Sequence, residues 1–445
     1  MSKRNLILFI IVLIIITAVI FGFFYIYQPK NQTGDNTTGI NFLADFLPFG
    51  KSTNITPQDE TPPVDVSGYE PPAEVEQQTT KLKKISTFPI AGFGVFMKER
   101  FKDVINPTPP TLPLSGEENS GNQKLTTPAT EFVPALRYVN KATGNIYQTF
   151  ADKIDERKFS SMVIPQVYEA YFGNKGDSVI VRYLKTGTTT IQTFVGTLQK
   201  EFLGADSIGT SEVKGSFLPE NISDVSVSSD TLKMFYLFGA GESGVGTTLT
   251  FSTNAKVQIF DSPFTEWLSS WPNSKMITIT TKPSANVPGY MYAINPDKKD
   301  FNKILGNING LTTLTSPDGK MVLYGNNNLS LNIFDIETRN SIPVSIKTMP
   351  EKCVWGIKSD VIYCAVPKII NQGTYPDSWY QGEVSFSDEI WKIDATSMNT
   401  TLISDPTLVV LGEEVDGIKL NLDENQNYLF FVNKKDSYLW KLELQ

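Results

Sequence analysis

The stretch Thr315-Ser316-Pro317-Asp318-Gly319-Lys320-Met321-Val322-Leu323-Tyr324 indicates the fold of this 445-residue chain. Its turn former, Asp318-Gly319, precedes a β-rich run, and glycine enters the left-handed region of a turn without the steric penalty of a Cβ. A second run, Leu331 to Ile336, alternates apolar and polar residues, as a half-buried strand must. The stretch therefore predicts a β-hairpin followed by a third strand.

The same pattern recurs along the chain. Polar turn residues stand at Asp230, Asn273, Asp318 and Asp360, successively 43, 45 and 42 residues apart. Four-stranded propeller blades repeat every ~40 to 50 residues. With the weaker copies included, we predict seven blades, which begin near residues 91, 165, 221, 264, 309, 351 and 415.

The end of the chain is one strand short of this pattern. The seventh blade stops after its third strand, at Leu442-Glu443-Leu444-Gln445, whereas the other blades continue to a fourth. A spare strand with a suitable pattern, Lys83 to Phe88, lies just before the first blade. We predict that residues 82–90 complete the last blade, because closing the ring removes an exposed sheet edge.

The hairpin from Ser316 to Lys320 and the strand after it resemble the repeat of the TolB-type and WD-repeat-like β-propellers. The resemblance extends over roughly residues 82–445. It implies an all-β fold, a seven-bladed β-propeller closed by an N-terminal strand. It implies a fold rather than a particular function.

The N-terminus carries a candidate membrane anchor. Leu6 to Tyr27 is a run of 22 residues without a charge, which as a helix is about 33 Å long and spans a bilayer core. Lys3 and Arg4 precede it, so residues 1–5 are expected in the cytoplasm. We predict an uncleaved single-pass transmembrane helix at 6–27, with the rest of the chain outside the cytoplasm, at the cell surface or in the periplasm.

Composition separates the anchor from the propeller. Residues 28–80 are rich in Pro, Thr and Asn and predict a disordered linker, because they cannot bury enough apolar surface to offset ordering. The propeller domain is then 81–445, with a disordered insertion at about 103–130 in the first blade. The net charge of −8 argues against nucleic acid or an anionic membrane surface as the main partner.

The only two cysteines, Cys353 and Cys364, fall on consecutive strands around the turn at Lys358-Ser359-Asp360. Pairing about that turn sets them opposite one another, within reach of a disulfide. Such a bond would persist outside the cytoplasm. We expect the disulfide, with two buried free thiols as the alternative.

The composition excludes several classes of chemistry. The chain has no histidine, which removes Ser-His-Asp and Cys-His catalysis and His-ligated zinc. Gly239 to Gly244 matches the letters of a dinucleotide fingerprint, but a strand, Thr247 to Phe251, follows where that motif needs a helix. We expect no cofactor, no metal and no catalytic residue.

An insertion in blade six, 371–388, is the main departure from the repeat. Its aromatic and acidic residues suit a protein or glycan partner, because Tyr and Trp combine contact area with a polar group. The predicted binding residues are Tyr375, Asp377, Trp379, Tyr380, Glu383, Phe386 and Asp388. The alternative is that Trp379 and Tyr380 pack the loop onto its own blade. A weaker candidate loop, 281–290 of blade four, should emerge on the same face.

Two functions remain open. The first is a membrane-anchored extracytoplasmic propeller that binds or scaffolds an envelope protein or glycan and is not an enzyme. The alternative is a carboxylate-dependent polysaccharide hydrolase or lyase, with carboxylates in the central channel or on the loop face, such as Asp377, Glu383, Asp388 and Glu389. A purely structural envelope component is a third possibility.

Overall fold

The computed structural model describes residues 81–102, 129–201, 212–410 and 412–444. The predicted membrane helix at 6–27, the linker at 28–80 and nearly all of the 103–130 insertion lie outside these residues. Within the described ranges, no helix has the length and apolar character needed to cross a bilayer.

The described strands form seven four-stranded antiparallel sheets, which confirms the seven-bladed propeller. The first strands of blades one to seven are β2 Ile90–Phe101, β6 Val167–Gly173, β10 Ile222–Val227, β14 Trp267–Asn273, β18 Thr312–Thr315, β22 Cys353–Trp355 and β26 Gly417–Leu422. The second strands are β3 Thr130–Asn140, β7 Ser178–Leu184, β11 Lys233–Ala240, β15 Met276–Thr281, β19 Met321–Gly325, β23 Val361–Pro367 and β27 Tyr428–Asn433.

The third strands are β4 Ile146–Phe150, β8 Ile191–Thr197, β12 Ser243–Thr250, β16 Pro288–Ile294, β20 Ser330–Asp335, β24 Asp388–Asp394 and β28 Leu439–Glu443. The fourth strands are β5 Arg157–Ser160, β9 Lys214–Phe217, β13 Lys256–Ser262, β17 Phe301–Asn309, β21 Ser341–Lys347, β25 Thr400–Ser404 and, in blade seven, β1 Leu82–Lys84. Four short helical turns complete the described structure: α1 Asp377–Tyr380, α2 Pro406–Val409 and the 3-10 turns Asn174–Gly176 and Pro350–Lys352.

The N-terminal strand closes the ring, as the sequence predicts. In β1, Leu82 pairs with Leu442 of β28 and Lys84 pairs with Trp440. The ladder continues beyond the strand, because the Ile85 amide donates to the Leu439 carbonyl over 2.7 Å. Leu82 and Ile85 are both buried, so closure also seals the core of blade seven.

The hairpin turns form for local reasons. Gly319 has φ +74°, the left-handed conformation that glycine adopts freely. Asp318 Oδ1 accepts from the Lys320 amide over 3.1 Å and from Ser316 Oγ over 2.6 Å. The equivalent turn of blade three has the same Ser–Asp bond, between Ser228 Oγ and Asp230 Oδ1 over 2.6 Å.

The two cysteines are bonded. Cys353 and Cys364 are direct partners across β22 and β23, with Cα atoms 4.0 Å apart and the sulfurs joined. The expected disulfide is therefore present, and it ties the first strand of blade six to the second.

The blade-six insertion and the blade-four loop lie on the same face of the ring. Because the strands of a blade alternate in direction, each first strand begins at the same edge as the connection between the second and third strands. We call this edge the upper face. The blade-six insertion and the blade-four loop both lie there and touch, since the Ala285 amide donates to Asp377 Oδ2 over 2.7 Å. The prediction that these two loops share a face is confirmed.

Candidate functional site

Polar side chains converge where the first strands begin. First strands of neighbouring blades contact one another, as β2 does with β6 and β10 with β14, so they are the innermost strands and line the channel. Four of them carry a polar side chain at their third residue: Glu169, Asp224, Ser269 and Lys419. Blade one has Gly92 at that position and leaves the space open. We call this end of the channel the mouth.

The backbone is irregular at this level of the ring. In blades one, two and three the ladder skips the second residue of the first strand, which is Ala91, Tyr168 and Ser223 respectively. Lys419 has φ +53°, and the pairing of its strand is interrupted there. Such bulges and strained residues redirect side chains and are frequent beside functional sites.

Glu169 joins two cations at the mouth. Arg182 Nη1 lies 2.5 Å from Glu169 Oε2, and Lys419 Nζ lies 3.5 Å from Glu169 Oε1. Burial opposes ionisation of Glu169, but the charges of Lys419 and Arg182 outweigh it and lower the pKa of the carboxyl. Burial lowers the pKa of Lys419 as well, against the pull of Glu169. The two cations are therefore held by one carboxylate.

Lys419 can reach Glu169 because the backbones of blades one and two approach each other closely between them. A Cβ at Gly92 would stand 1.9 Å from the Ala170 carbonyl oxygen, so only glycine lets blade one pack so tightly on blade two. Lys419 Nζ passes over this region and donates to the Ala91 carbonyl over 3.2 Å. The lysine of blade seven thus reaches Glu169 of blade two.

Asp224 is a carboxylate without a cation. Its Oδ2 accepts from the amide and from the hydroxyl of Ser269, each over 2.6 Å, and Ser269 Oγ also lies 3.0 Å from Ser226 Oγ. Among the described residues it forms no ion pair. Burial raises the pKa of Asp224 to about 6, although the bonds from Ser269 work in the opposite direction.

Glu351 is the second such carboxylate. It lies in the 3-10 turn Pro350–Lys352, directly before the first strand of blade six, and accepts a hydrogen bond from the Tyr380 hydroxyl. Burial raises the pKa of Glu351 to about 7; the Tyr380 bond opposes this rise and the charge of Asp224 adds to it. Glu351 precedes the first strand of blade six and Asp224 is the third residue of the first strand of blade three, so both stand at the end of the channel where the first strands begin.

The structure distributes the predicted binding residues of the insertion differently. Tyr375, Trp379, Phe386 and Asp388 are buried, and the three aromatic rings pack with Leu329 and Met349 in a small core. Asp377 is half-buried against blade four, whereas Glu383 is exposed. Only Tyr380, 37% exposed, reaches a carboxylate of the channel. The rings of Tyr375, Trp379 and Phe386 therefore pack the loop against the propeller and do not face a ligand.

A buried charge cluster holds the insertion in place. Lys352 Nζ lies 2.7 Å from Asp388 Oδ2 and also contacts Asp416 Oδ1, and all three residues are fully buried. Asp416 Oδ2 accepts from Trp379 Nε1 over 3.0 Å and from the Phe386 amide over 3.1 Å. The insertion is therefore hydrogen-bonded to a carboxylate of blade seven.

This cluster contains one carboxylate more than its single lysine neutralises. Burial raises the pKa of Asp388 to about 6, with Lys352 opposing and Asp416 adding to the rise. Burial acts on Asp416 in the same sense, but Lys352 and its hydrogen-bond donors outweigh burial and lower the pKa of that carboxyl. Among the described residues, Asp388 Oδ1 has no hydrogen-bond partner.

The polar residues of the mouth were not predicted from the sequence. Glu169, Asp224, Glu351 and Lys419 come from four different blades, and no motif links them. One signal was present in the sequence: Glu169, Asp224 and Lys419 stand at the third residue of three first strands. Aligning the first strands of the repeat by that position reveals it.

Solved structures with a similar chain path include two lyases and a protease. An oligogalacturonate lyase from Vibrio parahaemolyticus aligns with a TM-score of 0.45 and 8% identity, over 70% of this chain and 86% of that one. An oligogalacturonate lyase in complex with manganese gives 0.43 and 9%, over 70% and 85%. The tricorn protease gives 0.34 and 11%, over 67% and 27%. No protein-family model and no curated protein matches the sequence.

These findings correct one expectation and leave another open. The expectation that the chain is not an enzyme is contradicted, because two of the three similar structures are lyases. None of the three is described as a TolB-type or WD-repeat propeller, so that resemblance remains a prediction. At such low identity the similarity concerns the fold, and any reaction has to be argued from this chain's own residues.

Within the described ranges, no three Asp, Glu, Cys or His side chains converge as metal ligands.

Proposed function

We propose that this protein is a carboxylate-dependent polysaccharide hydrolase whose acid and base are Glu351 and Asp224. The observation that carries the proposal is that two carboxylates at one mouth of the channel, Glu351 and Asp224, form no ion pair among the described residues and have raised pKa values. Glycoside hydrolysis needs such a pair, one protonated to assist the leaving oxygen and one ionised to activate water or attack the sugar.

The two carboxylates are suited to different roles. With a pKa of about 7, Glu351 still carries a proton in a large fraction of molecules at neutral pH and can give it to a glycosidic oxygen. With a pKa of about 6, Asp224 is mostly ionised there. Ser269 fixes the position of Asp224 through two hydrogen bonds to one oxygen, which leaves the other oxygen for a water molecule or the substrate. Pairs of groups with separated pKa values mark acid and base assignments.

A second reaction, β-elimination from a uronic acid, is favoured by one specific observation. Lys419 lies at the mouth with its pKa lowered by burial, and an amine of lowered pKa serves as a base toward an acidic C–H bond. Its ion pair with Glu169 and its bond to the Ala91 carbonyl already engage that amine. We therefore place the lyase second to the hydrolase.

We propose that the enzyme acts outside the cytoplasm behind a membrane anchor at 6–27, with envelope or external glycan as its substrate. The disulfide between Cys353 and Cys364 supports an oxidising compartment. A scaffolding role finds no support in the comparisons and is not proposed.

The test is hydrolysis of a panel of neutral, amino and acidic polysaccharides by the full-length protein in detergent. We expect Glu351→Gln and Asp224→Asn each to lower kcat by about 10²- to 10⁴-fold. Glu383→Gln, at an exposed carboxylate of the insertion, is the control and should retain full activity. Release of reducing ends without ultraviolet absorbance indicates hydrolysis, whereas an absorbing unsaturated product that depends on Lys419 indicates the lyase. Full activity in Glu351→Gln would refute the assignment.

A further inference from the structure

The insertion of blade six touches the proposed acid directly. It is much longer than the other described connections between second and third strands: the equivalent connection of blade three is the two-residue turn 241–242. Across the face it reaches blade four through Asp377 and the Ala285 amide, 2.7 Å apart. It also reaches blade seven, since Lys434 Nζ donates to the Trp379 carbonyl over 2.7 Å. The insertion is therefore fastened on both sides of Glu351.

Two adjacent residues of the insertion meet two adjacent residues of blade six. The Tyr380 hydroxyl donates to Glu351, and the Trp379 ring lies 5.3 Å from Lys352 Nζ. Lys352 and Trp379 also share Asp416 as a hydrogen-bond acceptor. The contact between the buried residues Lys352 and Trp379 thus fixes how the neighbouring, partly exposed residues Glu351 and Tyr380 meet.

We propose that Tyr380 is a positioning residue for Glu351, and that the insertion is a fixed cap whose Trp379 anchor delivers the Tyr380 hydroxyl to the channel mouth. This inference rests on the proposed function. It adds a residue that holds the acid in one orientation and sets the pH at which it gives up its proton. Tyr380 donates its hydrogen to the ionised form of Glu351, so the contact favours that form.

Removal of the Tyr380 hydroxyl should raise the pKa of Glu351. Without the Tyr380 hydroxyl, the ionised form of Glu351 loses a hydrogen bond, and Glu351 releases its proton at a higher pH. A hydrogen bond to a charged group corresponds to a shift of about one pH unit at a partly exposed site. The alkaline limb of kcat/KM should move upward by that amount, and kcat should fall more than KM rises, because the acid is less well oriented.

The experiment compares two tyrosines of the same insertion. Tyr380→Phe removes the hydroxyl that contacts Glu351, whereas Tyr375→Phe removes one that donates to the Asn371 carbonyl over 2.6 Å. The titration of Glu351 is followed by difference infrared spectroscopy of each full-length protein against the same protein carrying Glu351→Gln. We expect an upward shift in Tyr380→Phe and none in Tyr375→Phe. No shift in Tyr380→Phe, or equal shifts in both, would overturn the inference.

The anchor is tested separately with Trp379→Phe. This variant keeps an aromatic ring and loses the Nε1 bonds to Asp416. If Trp379 holds Tyr380 in place, Trp379→Phe should shift the titration in the same direction, and the double variant should shift it no further than Tyr380→Phe alone. Additive shifts would show that the anchor and the hydroxyl act independently, against the proposal.

The infrared titration needs no substrate, so the two proposals can fail separately. An upward shift in a protein that cleaves none of the polysaccharides would remove the hydrolase and leave the Tyr380–Glu351 contact standing. Cleavage with an acid limb and an alkaline limb, but with no change in Tyr380→Phe, would leave the hydrolase and remove the positioning role.

Discussion

Lys419 Nζ of blade seven lies 3.5 Å from Glu169 Oε1 of blade two, although the whole of blade one stands between their strands in the ring. The contact exists because the first strand of blade one has small residues there, Ala91 and Gly92. It joins the last blade to the second across the seam that β1 closes. The channel mouth is consequently assembled only in the closed ring.

The first prediction concerns the pH dependence of hydrolysis. Activity needs Asp224 ionised and Glu351 protonated, so it should fall below about pH 6 as Asp224 takes up a proton and above about pH 7 as Glu351 loses one. The kcat/KM profile should be a narrow bell with its maximum between these limits. Because the two carboxyls are coupled, the apparent pKa values of the two limbs belong to the pair and not to either residue alone. A profile that rises steadily to pH 9 would contradict the assignment.

The second prediction tests the close approach of blades one and two. Gly92→Ala places a methyl group against the Ala170 carbonyl oxygen, and overpacking of this kind costs about 1–3 kcal/mol or more. The midpoint of urea unfolding should fall accordingly. Gly239→Ala is the matched control, since an exposed strand glycine with no atom within 4 Å of the added Cβ should leave the midpoint almost unchanged. Equal effects would show that the contact between the strands does not matter.

The third prediction concerns the buried cluster around Lys352. The pKa of Asp388 is raised from 3.8 to about 6 in the folded protein, so its contribution to stability is full below pH 4 and is lost as pH rises through 6. This loss is on the order of 2–3 kcal/mol. Asp388→Asn should therefore lose less stability than the wild type between pH 5 and 8. Parallel curves for the two proteins in urea unfolding would exclude an unusual proton affinity of Asp388.

The fourth prediction concerns the disulfide. Replacing both Cys353 and Cys364 by Ala removes a cross-link with a sequence separation of 11, and a loop of this size corresponds to about 2–3 kcal/mol. Unfolding by urea should begin at a lower concentration. A reductant should lower the midpoint of the wild type only, since the double variant has no bond to reduce. A midpoint that is the same in both proteins would mean that the bond adds no stability.

The repeat was readable from the sequence because its signals are local. Asp318, Gly319 and Ser316 make a turn with their own hydrogen bonds, and the alternation in each strand reflects burial of one face. The closure by residues 82–90 was also readable, since a missing fourth strand in blade seven has to be supplied from elsewhere. The disulfide followed from a turn placed midway between Cys353 and Cys364.

The site was not readable in the same way. Asp224 and Glu351 are separated by more than a hundred residues, and they reach one end of the channel only because the ring places blades three and six around it. The aromatic residues of the insertion predicted a binding loop. In the structure, Trp379 and Phe386 are buried and fix the loop in place. Side chains that pack a loop and side chains that face a ligand have the same composition. Only their placement separates them.

Ring closure by β1 also sets the order of events during synthesis. The Leu439 amide donates to Ser86 Oγ, 353 residues away, so the strand that completes blade seven is made before every other described strand and its partner β28 after all of them. Each of the other blades has all of its strands as soon as its own residues have emerged. Leu82 and Ile85 must meanwhile stay in water, and contacts so distant along the chain form slowly. This apolar segment is therefore without its partner strand until β28 has been made, and a strand edge left unpaired favours aggregation.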